Sequence, residues 1–114
     1  MVIEIYFFKD RNKLSDEEKI LEVIESSQRA LSFEKIHTEM SSDRHMPRQR
    51  LKQTLGLLQE NGEICKEVYT LTLSNNPRIE SVIAEIYFKD LNQRRIYEEK
   101  ILPKLMMEAK KSLL

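Results

Sequence analysis

At 114 residues the chain is one domain's worth of material, long enough to bury a core without disulfides or metals. Nineteen Lys and Arg balance nineteen Asp and Glu, which argues against a histone-like coat, a disordered charged tail or a polybasic membrane binder. Two Gly, three Pro and 7% aromatic residues disfavour a loop-rich β-sandwich, and a helix-rich domain with a few strands fits better.

In chain order, Val2-Ile3-Glu4-Ile5-Tyr6-Phe7-Phe8 is short, β-branched and aromatic and reads as a strand. Ser15-Asp16-Glu17-Glu18 has capping-box spacing, and Ile20, Leu21, Val23 and Ile24 form the apolar stripe of a helix ending near Gln28. Leu31 predicts a short extended link. Ser32 caps a second helix carrying Ile36 and Met40, which Ser41-Ser42-Asp43 is expected to break. A third helix is predicted from about Arg44 to Glu60, with Pro47 in its first turn and Leu51, Leu55 and Leu58 on one face. Asn61-Gly62 ends it, glycine supplying the left-handed residue.

Two β-rich runs follow, Ile64 to Leu73 and Ile79 to Phe88, joined by the turn chemistry of Ser74-Asn75-Asn76-Pro77-Arg78. Val82, Ala84, Ile86 and Phe88 alternate as one apolar face, although Ile79, Val82, Ile83 and Ile86 also fit a helical period. The strand is preferred because β-branched residues dominate and a hairpin then closes. Asp90-Leu91-Asn92-Gln93 resembles another capping box, opening a helix to Leu114 that is kinked or restarted at Pro103.

The neutral total is unevenly distributed. Residues 1–28 carry four bases and seven acids, residues 29–59 six and three, residues 60–90 three and six, and residues 91–114 six and three. The stretch from Arg44 to Gln53 holds four bases and His45 with no acid, a pattern suited to an anion. An internal echo is also present. Nine of the eighteen residues from 4 to 21 are identical to those from 85 to 102, against roughly one expected at random. Duplication of a strand-turn-helix unit and convergence on one apolar pattern both account for it.

The order helix, helix, helix, hairpin, with helix-turn-helix spacing over about 32–60, resembles the winged helix-turn-helix superfamily. The residues that carry the resemblance are Leu31-Ser32-Phe33-Glu34-Lys35-Ile36 and the run from Leu51 through Leu58-Gln59-Glu60-Asn61-Gly62-Glu63 to Ile64. With Phe88-Lys89-Asp90 leading into a long terminal helix, the layout is similar to PadR-like repressors and to the bacterial replication terminator protein. The resemblance covers residues 15–88. It implies an α+β fold, with a winged-helix domain over 1–90, a wing hairpin at about 64–88 and a dimerisation helix over 91–114. The acidic hairpin and Pro103 depart from that pattern.

On that reading the third helix enters the major groove. At about 100° per residue, Gln49, Gln53, Met46 and Gly56 lie opposite Leu51, flanked by Arg50 and Lys52, with Arg48 nearer the core edge. Gln can bond adenine through two atoms, and Arg and Lys reach phosphates or guanine. Arg44 and His45 would grip a phosphate near the helix start, Arg78 would reach out from the wing, and Arg29 and Lys35 lie near the second helix. Tyr97, Ile101, Leu105, Met106 and Ala109 make a stripe wide enough to bury against a second copy.

Catalysis is not expected. Two His, one Cys, no metal-ligand spacing and no glycine-rich phosphate loop leave no cofactor, metal or small-molecule site to name. A lone Cys65 predicts a reducing, cytoplasmic setting, and the absence of a signal peptide or an 18-residue apolar run predicts a soluble protein. The expectation is therefore a homodimer on double-stranded DNA, regulating transcription or replication by site occupancy. A winged-helix module that binds protein instead is the alternative, favoured by the chain's neutrality.

Overall fold

Ser15 opens the first helix as its spacing implies: its hydroxyl accepts from the Glu18 backbone N–H while the Glu18 carboxylate accepts from the Ser15 N–H. The computed structural model describes residues 14–73 and 79–113. They form helix α1 (Asp16–Glu25), strand β1 (Leu31–Ser32), helices α2 (Phe33–Arg44) and α3 (Arg48–Glu60), strands β2 (Cys65–Leu73) and β3 (Ile79–Phe88), and helices α4 (Leu91–Lys100) and α5 (Leu102–Leu113). The fold is α+β, with a three-stranded antiparallel sheet ordered β1-β3-β2. The expected strand over Val2–Phe8 and the turn carrying Asn75, Asn76 and Arg78 lie outside the described residues.

β3 is the centre of the molecule because its neighbouring side chains enter opposite cores. Tyr87 joins Ile20, Ile24, Ile36, Met40 and the Leu51–Leu55–Leu58 stripe under α1, α2 and α3. Ile86 and Phe88 join Ala30 and Tyr97 on the other side, where Ile101, Leu102 and Leu105 pack against them. The sheet is thus sandwiched between a three-helix layer and the terminal helices. Each leucine of the α3 stripe is essentially fully buried, stabilising the fold by about 1.5–3 kcal/mol. Pairing of β3 with both β2 and β1 excludes the helical alternative for this run.

Four expectations need correction. Ser41-Ser42-Asp43 does not break α2, which continues to Arg44. The Ser41 hydroxyl bonds His37 Nε2 at 3.1 Å instead of competing for the backbone, and Met40 is wholly buried, so tertiary packing outweighs weak local propensity. α3 starts at Arg48, not near Arg44, because Pro47 forces extended backbone before it and serves as N-cap. Met46 consequently leaves the helical phase and is a buried plug, 4% exposed, instead of an outward residue. Val82 leaves the apolar face of Ala84, Ile86 and Phe88: Tyr69 pairs with Ala84 but Thr70 with Val82, so Ile83 is an extra residue and Val82 is 60% exposed. In addition, α1 stops at Glu25, about one turn early.

The terminal helices begin on the expected Asp90–Gln93 box, and the break falls at Ile101, with Pro103 in the first turn of α5. Gln93 does more than cap. Its Oε1 accepts from the Lys89 N–H at 2.7 Å and the Asp90 N–H at 3.3 Å. Its Nε2 donates to the carbonyls of Ile24 at 2.8 Å and Ser27 at 2.7 Å. All of this buried amide's capacity is used, and it clasps α4 to the end of α1. The internal echo has no structural counterpart over its second half: Glu17–Leu21 lies within α1, whereas Glu98–Leu102 spans the α4–α5 break.

Candidate nucleic-acid interface

α2 and α3 are joined by three residues, His45-Met46-Pro47, a connection of helix-turn-helix length. His45 caps α2 with φ 53°, the left-handed conformation more often given to glycine, and its N–H donates to the Ser41 carbonyl at 3.0 Å. Met46 then plugs the core, and Pro47 turns the chain into α3. No side chain caps α3 and its first turn has no acid, so its backbone N–H groups and dipole favour an approaching anion.

Gln49, Lys52 and Gln53 are exposed on α3, opposite the leucine stripe. A groove of about 740 Å³ separates this helix from the bulged part of β3, with Arg48, Gln49 and Lys52 on one wall and Val82, Ile83 and Glu85 on the other. Phe33 forms part of its floor. Arg48, the basic residue expected nearest the core edge, is in fact exposed. Its guanidinium lies over the Phe33 ring, 5.1 Å from the centroid, and forks onto the two carboxylate oxygens of Glu34. That guanidinium holds the Glu34 carboxyl below its ordinary range.

The remaining cations divide from this set. Asp16, the first residue of α1, accepts from Arg50 Nε at 2.8 Å and Nη2 at 2.7 Å through Oδ2, and from Arg44 Nη1 at 3.1 Å through Oδ1. Arg50 foremost, then Arg44, keeps the Asp16 carboxyl below its usual value against the opposing effect of burial. Arg44 therefore belongs to the last turn of α2 and to this carboxylate. His45 is exposed beside it. Gly56 is half-buried with open space where a Cβ would stand, so sterics do not demand glycine there. Gly62, at φ 75°, does require it.

On the opposite side, Tyr97 is 4% exposed and spent on the domain's own core, stacked on Tyr69 with ring centroids 6.3 Å apart. Ile101, Leu105, Met106 and Ala109 are half-buried, and Met107 is 61% exposed, leaving α5 an apolar flank. Arg29 and Lys35 are exposed but line a different groove, beneath α5. Arg78 lies outside the described residues.

Sequence reasoning does not reveal Asp16, Glu34 or Gln93 as partners of these groups. The signals for the first two are only an acid at a helix start and an acid beside an aromatic, and their arginines lie 14 to 34 residues away. Among the described residues no helix is long and apolar enough to cross a membrane. No family model, curated protein or solved structure matches the chain.

Proposed function

We propose that the chain is a winged helix-turn-helix protein that binds double-stranded DNA in a sequence-specific manner as a homodimer, regulating transcription or replication by occupying its site. One observation carries this reading: α3 presents Gln49, Lys52 and Gln53 outward, immediately after a three-residue turn and across a groove from the β2–β3 hairpin. Such a helix fits the major groove, its glutamines reading base edges and Lys52 reaching phosphate. Arg50 turns one face to Asp16 but keeps 61% of its side chain exposed, enough to take a phosphate oxygen as well. The apolar flank of α5 suits a second copy, which would set two recognition helices about 34 Å apart on B-DNA.

The test is a salt titration of binding to a mixed-sequence duplex, followed by selection of bound DNA from a random pool. Each lost phosphate contact lowers the slope of log affinity against log salt by about 0.9 per site. Lys52→Ala is expected to flatten the slope by about one unit per subunit. Gln49→Ala and Gln53→Ala should leave the slope alone and relax the selected sequence, by about 1–3 kcal/mol of discrimination for each bidentate contact. Absence of duplex binding at low salt would sink the reading.

A second reading, a winged-helix module that binds protein, draws support from one feature. Arg44, Arg48 and Arg50 already face Asp16 and Glu34, so much of the basic block is neutralised internally. That reading predicts no duplex affinity, and partner binding sensitive to substitution of Val82 or Phe33 along the groove.

A further inference from the structure

Beneath α5 lies a second groove of about 370 Å³ that the DNA reading does not use. Its floor and one wall are apolar, built from Ile83 at the β3 bulge, Tyr97 of α4, Ile101 at the α4–α5 break and Leu105 of α5. Arg29 and Lys35 stand at its rim, from the loop after α1 and the first turn of α2. Both side chains are exposed, and among the described residues neither has a hydrogen-bonding or ion-pairing partner. This distinguishes them from Arg44, Arg48 and Arg50, which all engage carboxylates. The Tyr97 phenol also has no hydrogen-bond partner among those residues. Two unpaired cations and one phenol thus border a slot of otherwise hydrocarbon character.

We propose that this groove binds a small amphipathic carboxylate, its head group held by Arg29 and Lys35 and its apolar body laid along Ile83, Tyr97, Ile101 and Leu105. The volume lies at the small end of those that hold organic ligands. Charge complementarity selects an anion, and the single pair of cations suits one carboxylate. The groove's walls belong to β3 on one side and α5 on the other, so an occupant would fix how α5 sits on the sheet. The proposed dimer flank is on that same helix, which makes the site a route by which a metabolite with this chemistry would govern DNA occupancy. The binding claim itself stands apart from the DNA reading.

The experiment titrates sodium octanoate, below its micellar concentration, into the full chain while methyl NMR follows Ile83, Ile101 and Leu105. Saturable shifts at these three residues are expected, with octanol binding at least tenfold more weakly than octanoate. The double variant Arg29→Gln/Lys35→Gln, two exposed and unpaired side chains, is expected to lose at least tenfold in affinity while keeping its melting temperature without ligand. Shifts that do not saturate, shifts confined to other methyls, equal binding of octanol, or an unchanged double variant would each overturn the site. So would methyl signals that move only with protein concentration and resist octanoate, because a second copy would then cover the groove. Shifts produced by a DNA duplex and not by octanoate would make Arg29 and Lys35 phosphate contacts, which overturns this site while leaving the DNA reading intact.

Discussion

A single carboxylate, Asp16, decides how much of the basic block is available. It joins the start of α1 to the end of α2 and the first turn of α3 through charge-assisted bonds to Arg44 and Arg50. Its folded-state pKa lies below the ordinary value of 3.8. Its contribution is therefore complete above that value and is lost as pH falls through the lower folded one. Asp16→Asn is expected to cost about 1 kcal/mol near neutral pH, in keeping with a partly exposed pair. It should also flatten the stability profile below about pH 4, which thermal melts between pH 7 and pH 2.5 would record. The same substitution releases the Arg50 guanidinium from its carboxylate, so duplex affinity should rise at low salt and fall more steeply as salt is added. His45 is the other residue where local chemistry decides the outcome. A left-handed non-glycine residue costs about 1–2 kcal/mol, partly offset by the lower backbone entropy of any residue with a Cβ. His45→Gly should be neutral or stabilising by up to about 1 kcal/mol, and His45→Val destabilising by about 1–2 kcal/mol, in denaturant titrations.

Among the elements, α4 depends most on one side chain. Gln93→Ala would take the side-chain partner from the Ser27 carbonyl and the Lys89 N–H and leave the Ile24 carbonyl with only the Ser27 N–H at 3.3 Å, and is expected to destabilise the chain by about 2–3 kcal/mol in urea titrations. What could be read in advance follows from range. The Ser15, Ser32 and Asp90 caps, the α3 leucine stripe and the Gly62 stop were all legible, because each is written within four residues or one helical period. Met46 departs from its expected outward place because the helical phase of α3 does not extend backward through Pro47, where the backbone is not helical. Val82 departs from its expected face because a bulge shifts every residue beyond it to the other face, and nothing in the sequence of β3 marks its place. The second roles of Asp16 and Gln93 rest on partners 28 to 69 residues distant, which no local pattern encodes.

At the scale of the whole molecule, the neutral charge resolves into internal pairing. Arg44 and Arg50 meet Asp16, Arg48 meets Glu34, Lys19 meets Asp43 at 2.9 Å, and Lys89 meets Glu25. Binding to DNA would then rest on a few exposed groups, notably Lys52, with little indiscriminate attraction for polyanions. The apolar flank of α5 tests the assembly. Met106→Glu with Ala109→Glu places two charges on half-buried positions away from the fully buried core. Light scattering is expected to show a dimer for the parent chain and a monomer for the variant. A variant that stays dimeric would remove α5 from the interface.

The Gln93 clasp also orders events in time. Its bonds to Ile24 and Ser27 close loops of 69 and 66 residues, enclosing α2, α3 and the hairpin, and an encounter between points so far apart is entropically costly until the intervening chain has collapsed. On a ribosome the three-helix layer of α1, α2 and α3 emerges long before Gln93 does. The three helices must therefore wait, with one side of β3 uncovered, for the last quarter of the chain to lock them in place. The Tyr69–Tyr97 side of the sheet is where a nascent chain would stay adhesive longest.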